Sequence, residues 1–196
     1  MKPAQLKMVQ ALSELAIPLL GYFWWNWDLY FILLFYVLDL LVSSGFSFVR
    51  ERKILQYRQQ PFSFPTQQLL LTTCLLGLIF FIALQAFFQL IPAFNPLAET
   101  WKFLAYEELG IPQGIVLIPL VIYAGYAQYR MHFLMPGKFS TQTIREVRKT
   151  HFKTLLLALA AAALWLGSTY FFAGPELLYV LVLIAGATAY RTLVLR

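Results

Sequence analysis

Six apolar runs, at 9–25, 28–49, 69–91, 115–134, 154–173 and 177–194, alternate with short polar segments along this chain. Each approaches the roughly 20 residues that a helix needs to cross about 30 Å of hydrocarbon. The pattern predicts an all-α polytopic membrane protein, a bundle of six transmembrane helices forming one domain over residues 1–196. Segments 1–10, 50–68, 130–153 and 191–196 hold every Lys and Arg except Lys102. An excess of cations marks the cytoplasmic side of a membrane, so both termini are expected in the cytoplasm.

The connections refine this outline. Asn26-Trp27-Asp28 is so short a link that spans one and two must form an antiparallel hairpin. Trp24, Trp25, Trp27 and Tyr30 are then expected as an aromatic belt at the outer interface. Residues 50–68 read as a cytoplasmic loop, with Pro61 and Pro65 interrupting any helix before span three. On the outer side Asn95 is placed to cap a helix over about 96–109 that starts at Pro96 and ends by Gly110 and Pro112. Leu97, Trp101, Leu104 and Ala105 line one face of it, opposite Glu99 and Lys102, as in a helix lying at the membrane surface. The stretch from Ser140 to Lys153 has a capping residue, apolar Ile144 and Val147 and several cations, and is expected to run on into span five. Small residues at 158–163, at Gly167-Ser168 and at Gly186-Ala187 suit close helix packing within a bilayer.

Composition agrees with a lipid solvent. Hydrophobic residues make up 60% of the chain and charged ones 12%, far more apolar surface than a soluble core can hide. The net charge of +6 sits on the cytoplasmic segments and fits anionic headgroups rather than nucleic acid. Cys74, the one cysteine, lies inside the third run, which rules out a disulfide framework and reads as a packing residue. The first run ends in Phe23-Trp24-Trp25, where a signal peptide needs small residues, so it is expected to stay as an anchor.

Two acids interrupt the apolar runs: Glu14 in span one and Asp39 in span two. An ionisable group in hydrocarbon costs at least about 2.5 kcal/mol, so each needs a reason to be there. In a hairpin turning at 26–27, residues whose numbers add to 53 share a depth, as 14 and 39 do. Span two carries Tyr36, Asp39, Ser43, Ser47 and Arg50 at spacings of three and four, and span one offers Gln10 and Glu14 on a similar line. Two carboxyls together in an apolar medium favour a shared proton or a bound cation; the competing reading is a polar pair that holds the bundle together. Arg145, Arg148, Lys149, His151 and Lys153 form a basic flank suited to lipid phosphate or an acidic partner. Gln85 and Gln89 in span three read as interface anchors or interhelical hydrogen bonds.

Enzymatic signatures are missing. The sequence has no P-loop, GxGxxG or HExxH. Ser43-Ser44-Gly45 lacks the partner histidine of a membrane serine protease, and Glu107-Glu108 lacks the arginine and histidine that paired glutamates of intramembrane proteases use. His132 at the cytoplasmic end of span four and His151 among the basic residues before span five are not placed to ligate a haem within the membrane. No catalytic residue, metal or cofactor is expected.

Tyr36-Val37-Leu38-Asp39, followed by basic residues, resembles the Tyr-Trp-x-Glu element of an uncharacterised bacterial family of multi-pass membrane proteins, with Val37 at the tryptophan and Asp39 at the glutamate. The resemblance implies a bacterial inner-membrane location and a role for Asp39. It implies no activity.

These readings together lead to the expectation of a non-catalytic accessory or assembly subunit, packed against other membrane-protein subunits or further copies of itself. A small proton- or cation-coupled transporter using Glu14 and Asp39 is the alternative, and a lipid-modifying enzyme the third.

Overall fold

A computed structural model of the chain describes residues 15–61, 64–91, 94–105, 113–171 and 175–194, and these are helical with no strand among them. The helices are α1 (Leu15–Trp24), α2 (Leu29–Tyr57), α3 (Phe64–Gln89), α4 (Pro96–Ala105), α5 (Gln113–Tyr129), α6 (Lys138–Thr141), α7 (Ile144–Phe171) and α8 (Glu176–Val194). α5 passes directly into a π-helical turn, Arg130–Leu134. Three segments, Leu29–Tyr57, Gln67–Gln89 and Ile144–Gly167, are long and apolar enough to cross a membrane. Leu15–Trp24 and Glu176–Thr188 are apolar but shorter. α3 leaves Leu71, Leu75, Leu78, Ile79 and Ile82 exposed, a surface that suits lipid rather than water.

The contacts divide the chain into two compact units, one made of Met1–Phe35 with Leu157–Arg196 and the other of Tyr36–Leu156. In the first, the link between α1 and α2 is a tight turn with Asn26 in the left-handed region at φ 48°. Trp27 N–H donates to the Gly21 carbonyl at 2.9 Å, and the indole lies on the glycine so closely that a Cβ there would meet ring carbons at 2.2 Å. Asp28 caps α2, its Oδ1 accepting from Phe31 N–H at 2.8 Å. Glu176 at the start of α8 also accepts from the N-terminus of α2, at Leu29 N–H. Trp27 and Tyr30 do not stand in the aromatic belt expected of them. Trp24 projects outward with 76% of its surface exposed, whereas Trp27 is 1% exposed and packs beside Trp25 and Phe35, and Tyr30 is buried with it. The turn folds the indole back onto Gly21, where its apolar surface is covered on both sides.

In the second unit, α2 continues through the segment read as loop and ends at Tyr57. Glu51, Ile54 and Leu55 are buried, so one face of these extra turns is anchored by tertiary contacts. Gln60 N–H closes the helix onto the Leu55 carbonyl at 3.0 Å, with Gln59 left-handed at φ 52° and Pro61 following. α4 starts as expected, with Asn95 Oδ1 accepting from Ala98 N–H at 3.2 Å. It buries Pro96 and Phe103 and leaves Leu97 and Trp101 exposed, with Glu99 and Lys102 paired at 2.5 Å. Gln85 of α3 donates to Thr100, and Gln113 of α5 to the Phe103 carbonyl, which ties α4 to both neighbours.

Close approach of α5 to α2 depends on Gly125, where a Cβ would meet the Phe46 ring at 2.6 Å. Thr143 and Glu146 form a reciprocal capping box at the start of α7, with Glu146 Oε2 accepting from Thr143 N–H at 2.9 Å. Cys74 is exposed on α3 rather than packed. Among the described residues, Gly167 and Gly186 likewise have no neighbour within 4 Å of where a Cβ would stand.

Candidate functional site

The most concentrated polar chemistry among the described residues lies in the second unit, between α2, α3 and α7. Glu51 of α2 has no exposed surface, and Arg148 of α7 donates to its Oε1 through Nε at 2.9 Å and again through a terminal guanidinium nitrogen. The Arg148 side chain keeps 28% of its surface exposed, so the pair is closed on the acid side and reaches solvent on the cation side. One turn along α7, buried His151 meets Thr73 of α3, Nε2 to Oγ1, at 2.8 Å. The single Thr73 hydroxyl proton goes to the Leu69 carbonyl at 2.8 Å. The same hydroxyl thus bridges the His151 ring and the backbone of α3.

Local sequence explains why these groups turn inward. Val147, His151 and Leu155 recur every four residues and are all buried, so His151 occupies a core position of α7. Glu51 precedes buried Ile54 and Leu55 by three and four residues on the same face of α2. The same unit holds a hydrophobic core of Ile54, Tyr129, Phe133 and Val147, with Phe46, Leu134, Phe139 and Ile144 packed against them. Tyr129 stacks between Phe46 at 5.8 Å and Phe133 at 5.5 Å, where α5 widens into its π-turn. Arg50 lies within electrostatic range of the Tyr129 hydroxyl.

The carboxylate is held by a guanidinium from another helix, and the hydroxyl beside the imidazole is also bonded to a backbone carbonyl. The arrangement is suited to binding three helices together rather than to activating a nucleophile. Among the described residues no three His, Cys, Asp or Glu side chains are grouped so as to hold a metal ion.

The residues singled out from sequence are distributed differently. Gln10 and Glu14 lie outside the described residues. Asp39 is half-buried in α2, with Oδ2 inaccessible to solvent. Tyr36 and Arg50 are half-buried, Ser43 is exposed, and buried Ser47 donates its hydroxyl proton to the Ser43 carbonyl at 3.3 Å. That bond satisfies Ser47 within its own helix. The basic flank divides in two. Arg148 and His151 belong to the buried cluster, whereas Arg145, Lys149 and Lys153 remain exposed.

Glu51 and Thr73 were not anticipated. Glu51 sat in an expected loop, and its only sequence signal is its spacing from Ile54 and Leu55. Thr73 reads as an ordinary small polar residue in an apolar run. Comparisons of the chain with protein-family models, with curated proteins and with solved structures find no match, so function has to be read from the residues themselves.

Proposed function

We propose that this chain is a non-catalytic integral membrane protein of six spans, with both termini in the cytoplasm, serving as an accessory or assembly subunit of a bacterial inner-membrane complex. The observation that carries this reading is the open small-residue surface of α7 and α8. Among the described residues Gly167 and Gly186 have no neighbour within 4 Å of a Cβ position, and Ala160, Ala161, Ala163 and Ala185 are exposed. Helices associate in lipid through such surfaces because small side chains let backbones approach closely. Gly125 is the internal contrast, since its close contact is met within the chain. The buried polar cluster supports the same reading, as its groups are occupied in joining helices.

Purification of the native protein in mild detergent is expected to retain a stoichiometric membrane-protein partner, a second copy included. Gly167→Leu and Gly186→Leu should release that partner without destabilising the isolated chain, because among the described residues nothing stands within 4 Å of either Cβ position and leucine favours the helix over glycine. A wild-type protein that behaves as a bare monomer, indistinguishable from both variants, contradicts the proposal.

The position of half-buried Asp39 within an apolar helix, with Oδ2 shut off from solvent, favours a second reading, a small proton- or cation-coupled carrier in which Asp39 acts with Glu14. Under it, Asp39→Asn abolishes pH-dependent uptake into proteoliposomes without loss of folded protein. Uptake that survives this substitution removes the carrier reading.

A further inference from the structure

α7 presents two different faces on the length that precedes its lipid-exposed leucines. Val147, Arg148, His151 and Leu155 face the protein. Arg145, Lys149 and Lys153 recur every four residues on the other side and are all exposed, together with Phe152. Among the described residues none of these three cations has a hydrogen bond or an ion pair. The acid nearest to them in sequence, Glu146, is occupied in the capping box with Thr143. Directly beyond Lys153 the same surface becomes Leu156 and Leu157, both exposed.

A stripe of unneutralised cations leading without interruption into exposed leucines matches the gradient of a lipid leaflet, anionic phosphate above hydrocarbon. From Arg145 to Lys153 the helix rises about 12 Å. That covers a headgroup layer of about 5–7 Å and reaches a further part of a Debye length of about 8–10 Å. Phe152 between the cations supplies an apolar side chain at the boundary.

We infer that Arg145, Lys149 and Lys153 form a docking surface for anionic phospholipid headgroups, with Arg148 and His151 taking no part in it. The inference rests on the reading that α7 enters the membrane from its N-terminal end, and it names the lipid class held there. Each cation at such a surface favours anionic over zwitterionic lipid by roughly fivefold.

The test is native mass spectrometry of the full chain, purified in detergent and equilibrated with equal amounts of phosphatidylglycerol and phosphatidylcholine. The wild-type ratio of bound phosphatidylglycerol to phosphatidylcholine is expected to exceed that of the Arg145→Gln/Lys149→Gln/Lys153→Gln variant by at least about fivefold, and to fall in 0.5 M salt. The Arg145→Lys/Lys149→Arg/Lys153→Arg variant should keep the wild-type ratio. Equal ratios in wild type and the neutral variant overturn the inference. So does an acidic protein that copurifies through these cations while the lipid ratio is unmoved. Sidedness is read separately, by labelling a Cys74→Ser/Thr141→Cys variant in intact cells with a membrane-impermeant thiol reagent. The lipid ratio in detergent does not depend on sidedness, so failure of the topology and failure of lipid docking are distinguishable.

Discussion

The Glu51–Arg148 pair predicts an asymmetry between its two partners. Glu51 is 0% exposed and Arg148 keeps 28% of its side-chain surface in contact with solvent. Arg148→Met removes the cation and leaves a carboxylate in a place water does not reach, a class of change that costs about 3–5 kcal/mol. Glu51→Gln leaves an acceptor oxygen where the carboxylate stood, and the remaining guanidinium can turn its open side to water. Its expected cost is about 1 kcal/mol, the difference between a charge-assisted and a neutral hydrogen bond. Replacing both groups by apolar ones, Glu51→Leu/Arg148→Met, removes the unpaired charge altogether and should return stability close to wild type. The assay is equilibrium unfolding of the detergent-solubilised protein followed by tryptophan fluorescence. Arg148→Met should lower the ratio of folded to unfolded protein by roughly 100-fold or more, and Glu51→Gln by about tenfold or less. Were Glu51→Gln the more damaging change, or the double variant as unstable as Arg148→Met alone, solvent access would not govern the cost and the reasoning would fail.

Three further outcomes follow from the packing. Gly125→Ala pushes a Cβ into the Phe46 ring and should cost about 1–3 kcal/mol, whereas Gly186→Ala enters open space within a helix and should gain up to about 1 kcal/mol; parallel unfolding curves check the opposite signs. Trp27→Ala empties the site between Gly21 and Phe35 and should cost about 3–5 kcal/mol, while Trp24→Ala, at an exposed position, should leave unfolding of the solubilised chain within about 0.5 kcal/mol of wild type. Asp28→Ala removes the cap on Phe31 N–H and should cost about 1 kcal/mol, with Asp28→Ser recovering most of it.

Hydropathy alone was enough to place helices at α2, α3 and α7, because a run of apolar residues long enough to cross a bilayer has few other stable conformations. Asn95 before Pro96 announced α4, and Ile144 with Val147 announced the entry to α7, since caps and helical spacing are local signals. Helix rotation was not legible. A membrane helix is apolar toward lipid and toward its neighbours alike, so periodicity does not tell Trp24 from Trp27, nor Gly125 from Gly186. Amphipathic spacing near the basic segment was informative only in part: it put His151 in line with Val147 and Leu155, but gave no partner across helices. That Glu51 meets Arg148, and Thr73 meets His151, follows from helices distant in the chain being brought side by side. The sequence by itself therefore determined the helices and the membrane-like character of the chain, through the local accounting of apolar length. Only the tertiary structure decided which polar groups are buried together and which cations stay free, because burial depends on what each helix face meets.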